Sequence, residues 1–151
     1  MELTFRKYKT KNFEELAGMV LNLYSKDGTK TSHMTTEKVA ISVEKLSGDR
    51  SSGQIFIFEN KSEIVGYAIL NLFWSNEFTG YITYVDELFV KPNYRSSGVG
   101  AQFFAYLEAN PENDSVAFML ETVMNNENAI RFYKKMGFET HHNYLMFKQL
   151  A

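Results

Sequence analysis

The chain has no cysteine among its 151 residues. Disulfides, cysteine nucleophiles and thiolate metal sites are thereby excluded, and a reducing compartment is the expected setting. Long apolar runs are also missing. The longest, Ile64 to Leu70, is far too short to span a bilayer of about 30 Å. The first eleven residues are polar and basic and carry no signal-peptide core, so a cytoplasmic protein without a membrane role is expected. Neither sign of charge dominates: the net charge is −2, which argues against a broad nucleic-acid footprint. Three histidines, His33, His141 and His142, show no metal-ligand spacing, and no metal is expected. No repeat, low-complexity tract or linker interrupts the chain.

What remains is ordinary globular material, 44% hydrophobic and 23% charged, of a length that suits a single domain over residues 1–151 with one core. Leu3 to Tyr8 reads as an opening strand. Phe13, Leu16, Val20 and Leu23 fall at helical spacing, with Asn12 and Glu15 placed like a capping box. Lys26 to Thr36, rich in Gly, Thr and Ser, reads as a loop. Val39, Val43 and Leu46 mark a second helix closed by Gly48, and Ser47 to Gly53 is a polar break. Three strands follow, Gln54 to Glu59, Ile64 to Trp74 and Gly80 to Val90, joined at Asn60-Lys61 and Asn76-Glu77. Val99 to Ala109 is a helix ended by Asn110-Pro111. Val116 to Val123 reads as a strand. A helix through Ala129, Ile130, Phe132, Tyr133 and Met136 stops at Gly137. Tyr144 to Leu150 reads as a closing strand. The order β-α-α-β-β-β-α-β-α-β implies an α/β fold, a central mixed sheet with helices on both faces.

The most informative stretch is Arg95-Ser-Ser-Gly98-Val-Gly100, which follows one strand and opens one helix. Unpaired amides at a helix N-terminus, together with the helix dipole, favour an anion there, and glycines permit close approach of the backbone. A nucleotide-like cofactor held by main-chain donors is one reading, and a plain strand-to-helix connection is the other. The third glycine of a dinucleotide fingerprint is missing, and no Gly-Lys-Ser/Thr follows.

Two segments together resemble the GNAT superfamily of N-acetyltransferases. Tyr84-Val-Asp-Glu-Leu-Phe-Val-Lys-Pro-Asn-Tyr-Arg-Ser-Ser-Gly-Val-Gly100 is similar to its cofactor-binding signature. Glu121-Thr-Val-Met-Asn-Asn126-Glu-Asn-Ala129-Ile-Arg-Phe-Tyr133-Lys-Lys-Met-Gly137-Phe138 is similar to its second motif. The matched segments cover about a quarter of the chain. Ser96 departs from the pattern, since family members often carry glycine there.

The resemblance implies acetyl-CoA as donor cosubstrate and an amine acceptor, on a small molecule or a peptide. Amides of Ser96, Ser97, Gly98, Val99, Gly100 and Ala101 would cradle the pyrophosphate. Arg95 stands near the same charge or is a solvated cation. Leu88, Phe89 and Val90 would offer backbone groups to the pantetheine arm, with the Phe89 or Val90 amide near the thioester oxygen. Asn126 holds the cofactor arm, caps its helix, or does both, and Ala129 allows close approach of that helix to the cofactor. Tyr133 would be the general acid toward the departing thiolate. An alkylammonium acceptor must lose a proton before attack. Glu87 is the preferred base and Asp86 its rival; because consecutive strand residues face opposite ways, only one should view the site. Phe73, Trp74, Phe78, Tyr81, Tyr84 and Tyr24, with Glu77, are candidates to line the acceptor pocket. Without a cysteine to carry an acyl group, transfer should be direct within a ternary complex. A homodimer through the C-terminal strands is a further expectation. The alternative is a non-catalytic acyl-CoA-binding module on the same fold.

Overall fold

In a computed structural model, residues 1–26, 33–48 and 52–150 are described. The parts of the expected loop and polar break at 27–32 and 49–51 lie outside them. The chain forms two compact units, Met1–Glu121 and Thr122–Ala151.

The first unit is a five-stranded sheet in the order β1 (Leu3–Lys7), β2 (Gly53–Asn60), β3 (Glu63–Ser75), β4 (Gly80–Val90) and β5 (Ala117–Leu120). The first four strands are antiparallel neighbours, and β5 joins β4 in parallel. That parallel step needs a crossover, which α3 (Val99–Ala109) provides. The β2–β3 hairpin turns on Lys61 and Ser62, both at positive φ (50° and 77°). This is the sense that matches strand twist, one residue beyond the expected Asn60-Lys61.

Strands β2 and β3 are buried on both faces, which is why they read as continuous apolar runs rather than as alternation. On one face Ile55, Ile57, Tyr67, Ile69 and Phe89 pack with Leu16, Met19 and Val20 of α1 (Phe13–Lys26) and Val39 of α2 (Thr36–Leu46). On the other, Phe103 of α3 lies 4.5 Å from the Phe58 ring, 5.6 Å from Phe56 and 5.3 Å from Phe5, centroid to centroid. The mixed sheet with helices on both faces is thus as expected.

Three local expectations are corrected. Asn12 does not cap α1 with Glu15. It is buried in a 3-10 turn, Thr10–Asn12, where its carbonyl accepts from the Lys9 N–H and from Arg6, while Glu15 pairs with Lys91. The strand expected over Val116 to Val123 is reduced to Ala117–Leu120, because β4 offers partners only as far as Val85. Residues 144–150 form no strand: they are irregular and exposed, and no ladder partner is paired with them among the described residues.

In the second unit α4 (Glu127–Lys135) opens with Asn126 Oδ1 accepting from the Ala129 N–H at 3.2 Å. It closes with Gly137 at φ 87°. The Gly137 N–H bonds the Lys134 carbonyl and the Phe138 N–H bonds that of Tyr133. These two bonds are the Schellman pattern, and the Tyr133 and Phe138 rings, 5.8 Å apart, supply its apolar contact. The Gly137-Phe138 pair therefore both stops the helix and packs against Tyr133.

Truncating Phe103 to alanine empties the centre of the α3 face. We expect a loss of about 3–5 kcal/mol in urea unfolding; a loss below about 1 kcal/mol would contradict this packing.

Candidate active site

The site is organised by an irregularity in β4. Ile69 of β3 pairs with Glu87, but its neighbour Leu70 pairs with Val85, so Asp86 is the extra residue of a β-bulge. Pairing with β5 covers Ile82 to Val85 and stops at the same point. Beyond it, β4 continues as far as Val90 paired with β3, and among the described residues no strand pairs with its other side. The Lys91 N–H bonds the Val65 carbonyl at 2.8 Å. By the alternation of an antiparallel ladder, the peptide groups of Phe89 and Glu87 also point toward β3, whereas those of Leu88 and Val90 point to the open side.

The open edge runs into a turn. After the 3-10 turn Pro92–Tyr94, Arg95 donates from Nε to the Val90 carbonyl at 2.9 Å, and its guanidinium lies over the Phe89 ring, 5.4 Å from the centroid. Ser96 has φ 59°, the left-handed region where glycine is at ease, so its side chain is carried there at a backbone cost. The Ser97 hydroxyl donates to the Tyr94 carbonyl. Gly98 caps α3 at φ 88°, without a side chain to offer. Gln102 is the first residue to bond back to Gly98, so the N–H groups of Val99, Gly100 and Ala101 have no acceptor within the helix. No acidic residue stands in the first turn of α3. Open strand edge, fixed arginine and uncapped helix start are thus consecutive along one strand-turn-helix passage.

The bulge also places carboxylates. Glu87 accepts from the Tyr24 hydroxyl at 2.6 Å on Oε1 and from the Tyr67 hydroxyl at 2.8 Å on Oε2. Its pKa is raised, chiefly by burial and further by Asp86, against the lowering effect of the two phenols. Asp86 accepts from Asn71 Nδ2 at 3.3 Å. Asn71 follows Ile69 by two residues and so shares its face, the face to which Glu87 also belongs. Because the bulge breaks the alternation, Asp86 and Glu87 lie on one face, contrary to the expectation that only one would. The Asp86 side chain is exposed but crowded; loss of solvent, then the nearby Glu121, raise its pKa. Tyr84 donates to Glu121, and its phenol is held well above the usual range by burial and then by that partner. Among the described residues no lysine or arginine forms a salt bridge with Asp86, Glu87 or Glu121. A small cavity of about 20 Å³ adjoins Glu87, lined otherwise by residues such as Val20, Val39 and Ile69. It has room for one water and not for a substrate.

Of the expected site residues, Asp86 to Val90 and Arg95 to Ala101 fall on this one passage. Asn126, Ala129 and Tyr133 sit on α4 in the second unit, where burial raises the Tyr133 phenol. Of the aromatic candidates, Tyr24 and Tyr84 reach the carboxylates. Phe73, Trp74, Phe78 and Tyr81 are exposed near the β3–β4 turn, and Tyr81 is roughly 20 Å along the strand from Glu87. Tyr67, Asn71 and Glu121 were not anticipated. The one available signal was Tyr67 itself, a phenol inside an apolar run, which needs a buried acceptor.

The model of the acetyltransferase (GNAT) family matches residues 18–138. The fold is shared with a possible acetyltransferase from Clostridium difficile 630 (18% identity, TM-score 0.83, all of both chains). It is shared with the integron cassette protein HFX_CASS3 from the mobile metagenome of Cole Harbour Salt Marsh (25% identity, TM-score 0.82, 97% of this chain and 90% of that one). It is shared too with AAC(6')-Iy, solved with the bisubstrate analog CoA-S-monomethyl-acetylneamine (18% identity, TM-score 0.77, all of both chains). The architecture is that of an acetyltransferase. The chain belongs to the GNAT family, whose members are acyltransferases.

An acid whose folded-state pKa lies above its unfolded value supports folding most at low pH. That support is lost as pH rises from the ordinary glutamate value through the raised one. Glu87→Gln should therefore melt higher than the parent at pH 7, with the advantage shrinking toward pH 4. Thermal unfolding across that range checks this, and a lower melting temperature at pH 7 would contradict it.

Proposed function

We propose that the protein is an acetyl-CoA-dependent N-acetyltransferase acting on a cationic amine. The observation that carries this reading is the open edge of β4 past the Asp86 bulge, continuous with an uncapped helix start. The chain's own groups fit the donor. Leu88 and Val90 present N–H groups on the free side, so an extended amide-bearing arm can add there as a strand would. The Val90 carbonyl is already taken by Arg95, which leaves the Leu88 carbonyl as the free acceptor of the pair. Val99, Gly100 and Ala101 offer N–H groups to a diphosphate at a helix N-terminus. Acetyl-CoA, when bound, supplies an activated acyl thioester.

The acceptor class follows from charge. Three carboxylates, Asp86, Glu87 and Glu121, gather beside Tyr84, and among the described residues none of them has a lysine or arginine partner. Such a surface raises the local concentration of cations. An aminoglycoside, a polyamine or an amino-acid derivative carries the matching ammonium. Glu87, with a raised pKa, is the proposed base. It takes the proton from the ammonium, leaving the electron pair on nitrogen for attack. Tyr133, on α4, is the proposed proton donor to the departing thiolate; this role rests on the family resemblance of the segment from Asn126 to Phe138. Its raised phenol pKa keeps the proton in place at neutral pH. Asn126 is proposed as helix cap and as a ligand of the cofactor arm, with Ala129 leaving that approach clear.

Coenzyme A should raise the melting temperature more than equal concentrations of ATP or NAD do. Gly98→Trp should weaken that effect at least tenfold in CoA concentration; an unaltered CoA response would move the phosphate site elsewhere. With the acceptor found by screening amines for thiol release from acetyl-CoA, Tyr133→Phe should lower kcat by about 100-fold or more and leave CoA affinity within about twofold. Undiminished kcat would take Tyr133 out of the reaction.

A further inference from the structure

The two phenols on Glu87 have no part in holding donor or acceptor in the account above. Tyr24 comes from α1 and bonds Oε1; Tyr67 comes from β3, is fully buried, and bonds Oε2. The two carboxylate oxygens are thus gripped by separate elements, one on each side of the group. A carboxylate out of water needs such donors, and a buried phenol needs such an acceptor. Each oxygen keeps a second lone pair for a further donor.

We propose that Tyr24 and Tyr67 are positioning residues: together they fix the Glu87 carboxylate and set how tightly it holds the proton removed from the acceptor amine. The proposal rests on the reading of Glu87 as base. Burial and the neighbouring Asp86 favour the neutral acid, and the two O–H donors favour the anion. Among the described residues, the others that line the cavity beside Glu87, such as Val39, Ser42 and Val43 of α2 and Ile55 of β2, carry no charge. Glu121 acts on Asp86, and Glu121 and Asp86 act on Tyr84. Without the phenols, therefore, little would oppose burial, and Glu87 would stay protonated to higher pH. When Glu87 takes the amine proton, an N–H bond breaks and an O–H bond forms at the carboxyl. A phenol hydroxyl can then rotate to accept from the new acid instead of donating to it. The clamp can thus serve both protonation states without moving the backbone.

The test uses the full chain with 13C-carboxyl-labelled glutamate, and Glu87→Gln identifies the Glu87 signal. In Tyr24→Phe and in Tyr67→Phe the ring is kept and one donor is lost. The Glu87 titration midpoint should rise by about one pH unit in each. The acidic limb of kcat/KM should rise with it, so that activity falls about tenfold below the limb and stays within about twofold of the parent well above it. Should Tyr67→Phe fold poorly, Tyr24→Phe at the half-buried position carries the test alone. An unmoved or lowered midpoint overturns the proposal. A midpoint that rises while the activity limb stays put instead overturns Glu87 as the base. A limb still present in Glu87→Gln does the same.

Discussion

The point at which β4 parts from β5 governs what this fold can do. Four residues of β4, Ile82 to Val85, are paired with β5; at Asp86 an extra residue enters the strand and the pairing ends. A sheet that kept its ladder closed would have no main-chain donors to spare, since buried peptide groups are almost always paired. Here the last residues of β4 keep β3 on one flank, and no strand among the described residues pairs with the other. The strand leads into a turn and a helix start whose first amides have no acceptor within the helix. In the proposed reading, a donor molecule with an amide-bearing arm and a diphosphate takes that sequence of groups in order. The whole arrangement hangs on one inserted residue.

The same bulge decides the chemistry of the side chains. In a regular strand Asp86 and Glu87 would lie on opposite faces of the sheet. The insertion places both on one face, where the half-buried Glu87 accepts from two phenols and Asp86 stands near Glu121. Burial and like charge both push these carboxyls toward holding a proton. Among the described residues they are held by hydrogen bonds and by no salt bridge. A carboxylate fixed in this way, with a pKa moved up toward neutrality, is better matched to accepting a proton from an ammonium than an ordinary surface glutamate is.

The architecture was legible in the sequence wherever periodicity and turn chemistry agreed: the long strands of β3 and β4, the helix opened by Gly98, and the helix stopped by Gly137. The strand-turn-helix passage was legible because glycine spacing and a family resemblance coincided there. The bulge was not, since no residue type announces an insertion and register is a property of pairing rather than of a single strand. With it were lost the shared face of Asp86 and Glu87 and the contacts of Tyr67, Asn71 and Glu121, all of which arise across strands. Apolar composition misled at residues 144–150: Tyr144, Leu145, Met146 and Phe147 have the character of a strand, yet no ladder receives them among the described residues. The Asn12 and Glu15 spacing misled for a simpler reason, because long-range partners, Arg6 and Lys91, claimed both side chains.

Amide hydrogen exchange, residue by residue along β4, tests the open edge most directly. In the free protein the Phe89 N–H, which faces β3, should be protected, while those of Leu88 and Val90 exchange quickly. On saturation with coenzyme A the Leu88 and Val90 amides should slow by at least tenfold, and Phe89 should change little. If Leu88 and Val90 are already protected without a ligand, or remain fast when coenzyme A is bound, the edge of β4 is not where the donor lies.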